Sequence, residues 1–283
     1  MFSWESIQSA LWDAIPGTGA ALTYFDNLKA TIDKFLAKGI YVLICPWGYN
    51  PAAGDTDITY RGSAFTPAQF GDFWGKMASA FSYDQRIAFG LMNEPHTGGG
   101  SIVGVTLENW FILAQAAIDA IRSAHAANYI VVPGMGYASA GSWVSNGSGE
   151  KFVALTDRNS PKRLIAECHN YGDQFPTNAG NNLGPNMQAM VSHARANGYK
   201  IFVGEVARSA NPTTNPSSAD DITAWANWVT FCANNSDVVL GWAWWAVDDN
   251  TVVAWGTDFF HWSLVKEETN NVNSQFMDLS KGA

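Results

Sequence analysis

The chain has 283 residues, 47% of them hydrophobic and only 14% charged, with 25 acidic residues against 16 basic ones and a net charge of -9. An acidic chain repels phosphate backbones and anionic bilayers, which argues against nucleic acid or a membrane surface as a partner. No apolar run approaches the roughly 18 residues that span a bilayer.

No internal repeat and no linker rich in Pro, Gly and Ser divides the chain, so a single domain over residues 1–283 is expected. At the start, Met1-Phe2-Ser3-Trp4-Glu5 lacks the basic region and apolar core of a signal peptide, and Phe2-Ser3-Trp4 reads as a strand stub. Leu22 to Lys38 carries Phe25, Leu28, Ile32, Phe35 and Leu36 at helical spacing, and Gly39 ends it. Ile40 to Cys45 is a short apolar strand. Thr66-Pro67 opens a second helix as an N-cap followed by proline at the first helical position. Arg86 to Met92 is a strand, Thr106 to Ala126 a long helix, and Tyr129 to Pro133 another strand. Ser139 to Leu155 is mixed, with one helix. Arg163 to Cys168 is a strand, Pro185 to Asn197 a helix closed by Gly198, and Tyr199 to Gly204 a strand. Ser218 to Cys232 is a helix, Val238 to Trp245 a strand, and Asn271 to Leu279 a weak final helix. The cysteines Cys45, Cys168 and Cys232 fit neither a zinc motif nor a disulfide framework.

Strands that are apolar on both faces and alternate with helices imply a parallel sheet covered by helices. A doubly wound open sheet fits that alternation nearly as well as a closed barrel. Two features favour the barrel. No glycine-rich phosphate turn follows the first strand. Polar and aromatic residues also follow nearly every strand, as when a ring of loops builds one site. In order these are Trp47, Asn93-Glu94, Tyr137, His169-Asn170-Tyr171, Glu205 and Trp245. Two of them are acids delivered at the ends of buried strands: Glu94 after Ile87 to Met92, and Glu205 after Ile201-Phe202-Val203-Gly204. Burying an unpaired charge is costly, and two carboxylates meeting at one rim are the machinery of glycoside hydrolysis.

On these motifs the chain resembles glycoside hydrolase family 5, a clan of retaining (β/α)8-barrel enzymes, and within it the endo-β-1,4-glucanases. The likeness runs from Phe2 to about Asp249, and its strongest part is Phe89-Gly90-Leu91-Met92-Asn93-Glu94-Pro95-His96. The resemblance implies an α/β (β/α)8 TIM barrel. It assigns Glu94, between Asn93 and Pro95, as acid/base and Glu205, after the seventh strand, as nucleophile. His169 and Tyr171 match the family's His-x-Tyr, and Trp245 its active-site tryptophan. Asn93 would bond the sugar 2-hydroxyl. Tyr171 would hold Glu205, and His169 would orient Glu94 or tune its proton. Trp245, Trp47 and Tyr137 would offer flat faces to glucose.

The resemblance also implies that the family's first strand, first helix and an arginine beside the nucleophile would fall before Met1, leaving a barrel incomplete at its N-terminus. Trp47 stands near the place of a family histidine. The expected function is a retaining endo-β-1,4-glucanase acting on β-linked glucan, secreted like its family, with no metal and no cofactor. β-Mannanase or exo-β-glycosidase activity, and a catalytically impaired carbohydrate-binding protein, are the alternatives. A monomer is expected, or a dimer if a second chain covers the open barrel edge.

Overall fold

The computed structural model describes residues 2–3, 6–8, 12–47, 59–60, 63–64, 66–96, 105–171, 183–207, 219–244, 265–266 and 271–272. The chain divides into two compact units, residues 1–138 with 142–167, and residues 139–141 with 168–283. Among the described residues, six strands form the main sheet, in the order Val239–Trp244, Lys200–Ala207, Leu164–Tyr171, Ile130–Pro133, Ile87–Gly90, Val42–Ile44.

The first unit begins with β1 (Phe2–Ser3), α1 (Ala20–Ala37), β2 (Val42–Ile44) and β3 (Pro46–Trp47). The expected stub is a strand: Phe2 and Ser3 run parallel to Pro46 and Trp47. The apolar segment after α1 is broken at Cys45. Proline has no N–H to give to a ladder, and the chain changes partner at Pro46, with β2 pairing to β6 (Ile87–Gly90) and β3 to β1. Two short strands, β4 (Thr59–Tyr60) and β5 (Ser63–Ala64), pair antiparallel.

Next comes α2 (Pro67–Phe81). Its N-terminus is a complete capping box: the Thr66 side chain accepts from Gln69 N–H, and the Gln69 side chain accepts from Thr66 N–H. Its buried stripe of Phe70, Phe73, Trp74, Met77 and Phe81 packs under the sheet, where Trp74 meets Phe89 of β6 edge-on at 6.0 Å. Gly71 lets α2 approach α3 (Leu107–Ser123), since a Cβ there would stand 3.2 Å from the Ala116 carbonyl oxygen. The α3 residue Trp110 is fully buried, and its indole N–H donates to the carbonyl of Pro133, the last residue of β7 (Ile130–Pro133). β7 pairs in parallel with β6 and with the first half of β8 (Leu164–Tyr171). The mixed segment after β7 resolves into a 3-10 turn at Ala140–Ser142 and α4 (Ser148–Ala154), entered through left-handed Gly147 at φ 86°. A salt bridge beside α3 is enclosed. Arg122 and Asp157, with side chains 2% and 0% exposed, form a two-pronged bridge at 2.8 and 3.1 Å, and Arg122 also donates to the carbonyls of Ala126 and Asn128.

The second unit holds the C-terminal half of β8, α5 (Leu183–Asn197), β9 (Lys200–Ala207), α6 (Ala219–Asn234) and β10 (Val239–Trp244). Met187, Met190, Val191, Ile201, Val203 and Trp228 are fully buried. Trp228 stacks on Phe231 with centroids 6.1 Å apart. Gly184 admits that phenyl ring, for a Cβ there would lie 3.0 Å from it. β10 runs parallel to β9 with two register shifts, and Trp242 and Trp244 on it are half-buried. Farther on, Asn271–Val272 is not the start of a helix. It is strand β12, antiparallel to β11 (Val265–Lys266). The periodicity of that stretch is too weak to override backbone pairing.

Candidate active site

In the first unit the site is built at the exit of β6. Leu91 and Met92 are buried, and Leu91 N–H donates to Val131 O at 3.0 Å, so the chain stays tied to β7 past the end of the ladder. Asn93 is buried and its N–H donates to Pro46 O at 3.1 Å. Glu94 is half-buried, with φ 46°, in the left-handed region that L-residues rarely adopt. Pro95 and His96 are buried. The His96 Nδ1 lies 2.6 Å from the Glu94 carbonyl oxygen. A carbonyl only accepts, so this nitrogen carries the proton and the tautomer is fixed.

Tyr137, after β7, is half exposed and also left-handed, at φ 60°. Its ring stacks on His96, with centroids 3.9 Å apart and planes 18° apart, and its N–H donates to Pro95 O at 3.3 Å. One face of the ring is thus covered by histidine. Trp47 ends β3, paired through its backbone to Ser3, while its side chain lies outside the described residues.

In the second unit, His169 and Tyr171 stand two apart on β8 and so point to the same side of the strand. Both reach one oxygen of Glu205 on the neighbouring strand β9. The Tyr171 hydroxyl donates to Glu205 Oε2, and His169 Nδ1 lies 3.3 Å from the same atom. All three are buried. A hydrogen bond to an ionised carboxylate is stronger than one between neutral groups, and the Tyr171 bond, with the His169 imidazole beside the same oxygen, fixes the rotamer of Glu205. Asn170, facing the other way, donates to Leu183 O at 2.8 Å and fastens this strand end to α5. Ser139 bridges His169 in parallel. Trp245 lies outside the described residues.

The structure therefore brings His169, Tyr171 and Glu205 together in one unit, and Asn93, Glu94, His96 and Tyr137 together in the other. His169 lies against the Glu205 carboxylate. The His96–Tyr137 stack is not legible in the sequence. A residue before proline favours extended backbone, which hides the left-handed turn at Glu94, and the only hint at the second turn is Gly136.

The chain is similar to known proteins along most of its length. The family model described as Cellulase (glycosyl hydrolase family 5) matches residues 2–248. Endoglucanase 1 of Robillarda sp. is 33% identical over 248 residues, covering 81% of this chain and 60% of the relative. Endo-beta-1,4-glucanase A of Emericella nidulans is 31% identical over 249 residues, covering 85% of this chain and 68% of the relative. Among solved structures, XacCel5A in complex with cellopentaose superposes with a TM-score of 0.77 at 27% identity, covering 100% of this chain and 84% of that one. The chain thus spans about 60% of the length of the Robillarda relative. The parallel strands and their helices are those of a partial (β/α) barrel. On the family match over residues 2–248, the chain belongs to the cellulases of glycosyl hydrolase family 5.

Proposed function

We propose that the chain is a retaining endo-β-1,4-glucanase, working as one catalytic domain outside the cell on β-linked glucan. The observation that carries this reading is the Glu205 carboxylate, buried on a parallel strand and held at one oxygen by Tyr171 and His169. An acid fixed and desolvated in this way is prepared to attack. Glu94, which follows a parallel strand of its own, supplies the second carboxyl group.

In the first step Glu94 gives its proton to the glycosidic oxygen while Glu205 attacks the anomeric carbon. The C1–O bond breaks, an ester to Glu205 forms, and the leaving sugar departs neutral. In the second step Glu94 takes a proton from water, whose oxygen attacks C1 and frees the Glu205 carboxylate. Retention requires the two carboxyl groups to stand about 5–5.5 Å apart. Asn93 bonds the 2-hydroxyl, and Trp245, Trp47 and the outer face of Tyr137 stack on the sugar rings.

Carboxymethylcellulose, mannan and aryl cellobiosides assayed side by side test the reading, together with mass spectrometry of protein treated with a 2-fluoro-cellobioside. The expected result is cleavage of carboxymethylcellulose with Glu205 labelled, and loss of both in Glu205→Gln. Turnover of aryl glycosides alone overturns the endo assignment, preference for mannan overturns the glucan assignment, and sugar binding without turnover leaves a carbohydrate-binding protein.

A further inference from the structure

The backbone around Glu94 is held in an unfavourable conformation by His96, by the Tyr137 N–H and by the Pro46 carbonyl. A left-handed φ is unfavourable for an L-residue and persists only where the surroundings over-determine it. Here the Glu94 carbonyl accepts from His96 Nδ1–H, the next carbonyl, that of Pro95, accepts from Tyr137 N–H, and the preceding N–H, that of Asn93, donates to Pro46 O. Rotation about the Glu94 backbone would break at least one of these bonds. His96 is buried and cannot swing away without leaving the Tyr137 ring that covers it.

Tyr137 is itself reached at a cost. Gly136, Tyr137 and Ala138 are left-handed in succession, at φ 74°, 60° and 52°. That turn is tied down from behind: Met135 N–H donates to Ser148 Oγ at 3.0 Å, and Met135 O accepts from Asn146 Nδ2 at 2.9 Å. Two strained turns that meet through a ring stack and a hydrogen bond point to a single purpose. Resting on the reading of Glu94 as acid/base, we infer that His96 and Tyr137 are positioning residues that clamp the Asn93–Pro95 turn and so aim the Glu94 carboxyl at the glycosidic oxygen.

An aryl leaving group as acidic as dinitrophenolate departs without a proton, whereas a sugar needs one. A clamp on the acid must therefore matter for cellopentaose and hardly at all for dinitrophenyl cellobioside in kcat/KM, which reports the first step. His96→Leu keeps the volume and loses the donor; its kcat/KM is expected to fall about 100-fold on cellopentaose and by less than about threefold on the dinitrophenyl substrate. His96→Asn, whose amide nitrogen occupies the place of Nδ1, is expected to recover most of the loss. Tyr137→Ala, which also removes a ring face offered to the sugar, is expected to lose activity on both substrates but more on cellopentaose than on the dinitrophenyl substrate. Parallel losses on both substrates, or His96→Asn no better than His96→Leu, overturn the clamp. A parent that turns over neither substrate overturns the enzymatic reading instead. The clamp is then judged from crystal structures of the parent and His96→Leu: release of Glu94 to negative φ in the variant is expected, and an unchanged left-handed Glu94 refutes it.

Discussion

Glu205 is held by a hydroxyl donor with an imidazole beside it, and the worth of the hydroxyl can be measured. Tyr171 donates a hydroxyl from a ring packed into β8, and His169 Nδ1 approaches the same oxygen from two residues earlier. Tyr171→Phe removes one donor and almost no volume. A hydrogen bond to a charged group is worth about 1.5–3 kcal/mol, so kcat/KM on cellopentaose is expected to fall roughly 10- to 100-fold while the melting temperature stays near the parent's. A loss confined to the melting temperature would mean that the hydroxyl serves packing alone. This half of the site was readable in the sequence, because the period of two along a strand puts residues 169 and 171 on one side and an acid ending an apolar run announces itself. The other half was readable only as residue types. Asn93-Glu94-Pro95 stood out, but nothing in the composition says that His96 turns back to the Glu94 carbonyl or that Tyr137 stacks upon it, since both depend on left-handed backbone at residues other than glycine.

Elements were legible where local chemistry agrees with burial. Thr66-Pro67 starts α2 because cap and proline act together, and the structure adds the reciprocal bond from Gln69. Strands buried on both sides, such as β7 and β8, announced themselves as apolar runs. Legibility failed where pairing decides: the partner exchange at Pro46 and the antiparallel β11–β12 contact leave no periodic trace. The exit of β7 offers a test of packing at this scale. A Cβ on Gly134 would lie 2.6 Å from Trp143 Cε3, and Trp143 is fully buried, with its ring against Phe152. Gly134→Ala is therefore expected to destabilise the fold by about 1–3 kcal/mol, the usual cost of overpacking. Chemical denaturation measures it. The cost is expected to shrink in a Trp143→Leu background, and equal costs in the two backgrounds would show that the strain lies elsewhere.

Across the molecule, acid is the condition that should undo folding, because several carboxylates are shifted in one direction. The Lys29 ammonium beside Asp33, the Arg86 guanidinium beside Asp84 and the Arg195 guanidinium beside Asp237 each hold the partner carboxyl below its usual range, Asp84 at about 2. Those pairs are solvent-exposed or partly so, and salt screens them. Asp157 differs. Burial alone would push its carboxyl up, yet the Arg122 bridge and the N–H groups of Asn159 and Arg163 bring it below the usual value. A carboxyl whose folded pKa is depressed adds stability that is fully present above its unfolded value, about 3.9, and is lost as pH falls through the folded one. Stability is therefore expected to hold from neutral pH down to about 4 and to decline below it. High salt should weaken the part owed to the exposed pairs and spare the part owed to Asp157. Arg122→Met strands a buried carboxylate, and its cost near neutral pH is expected to be about 3–5 kcal/mol. Pairing it with Asp157→Leu is expected to return much of that, since the uncompensated charge is then gone. Denaturation of the parent and both variants at pH 7 and pH 3 decides the matter: a single variant as stable as the double at pH 7 would show that the buried bridge is not what Asp157 depends on.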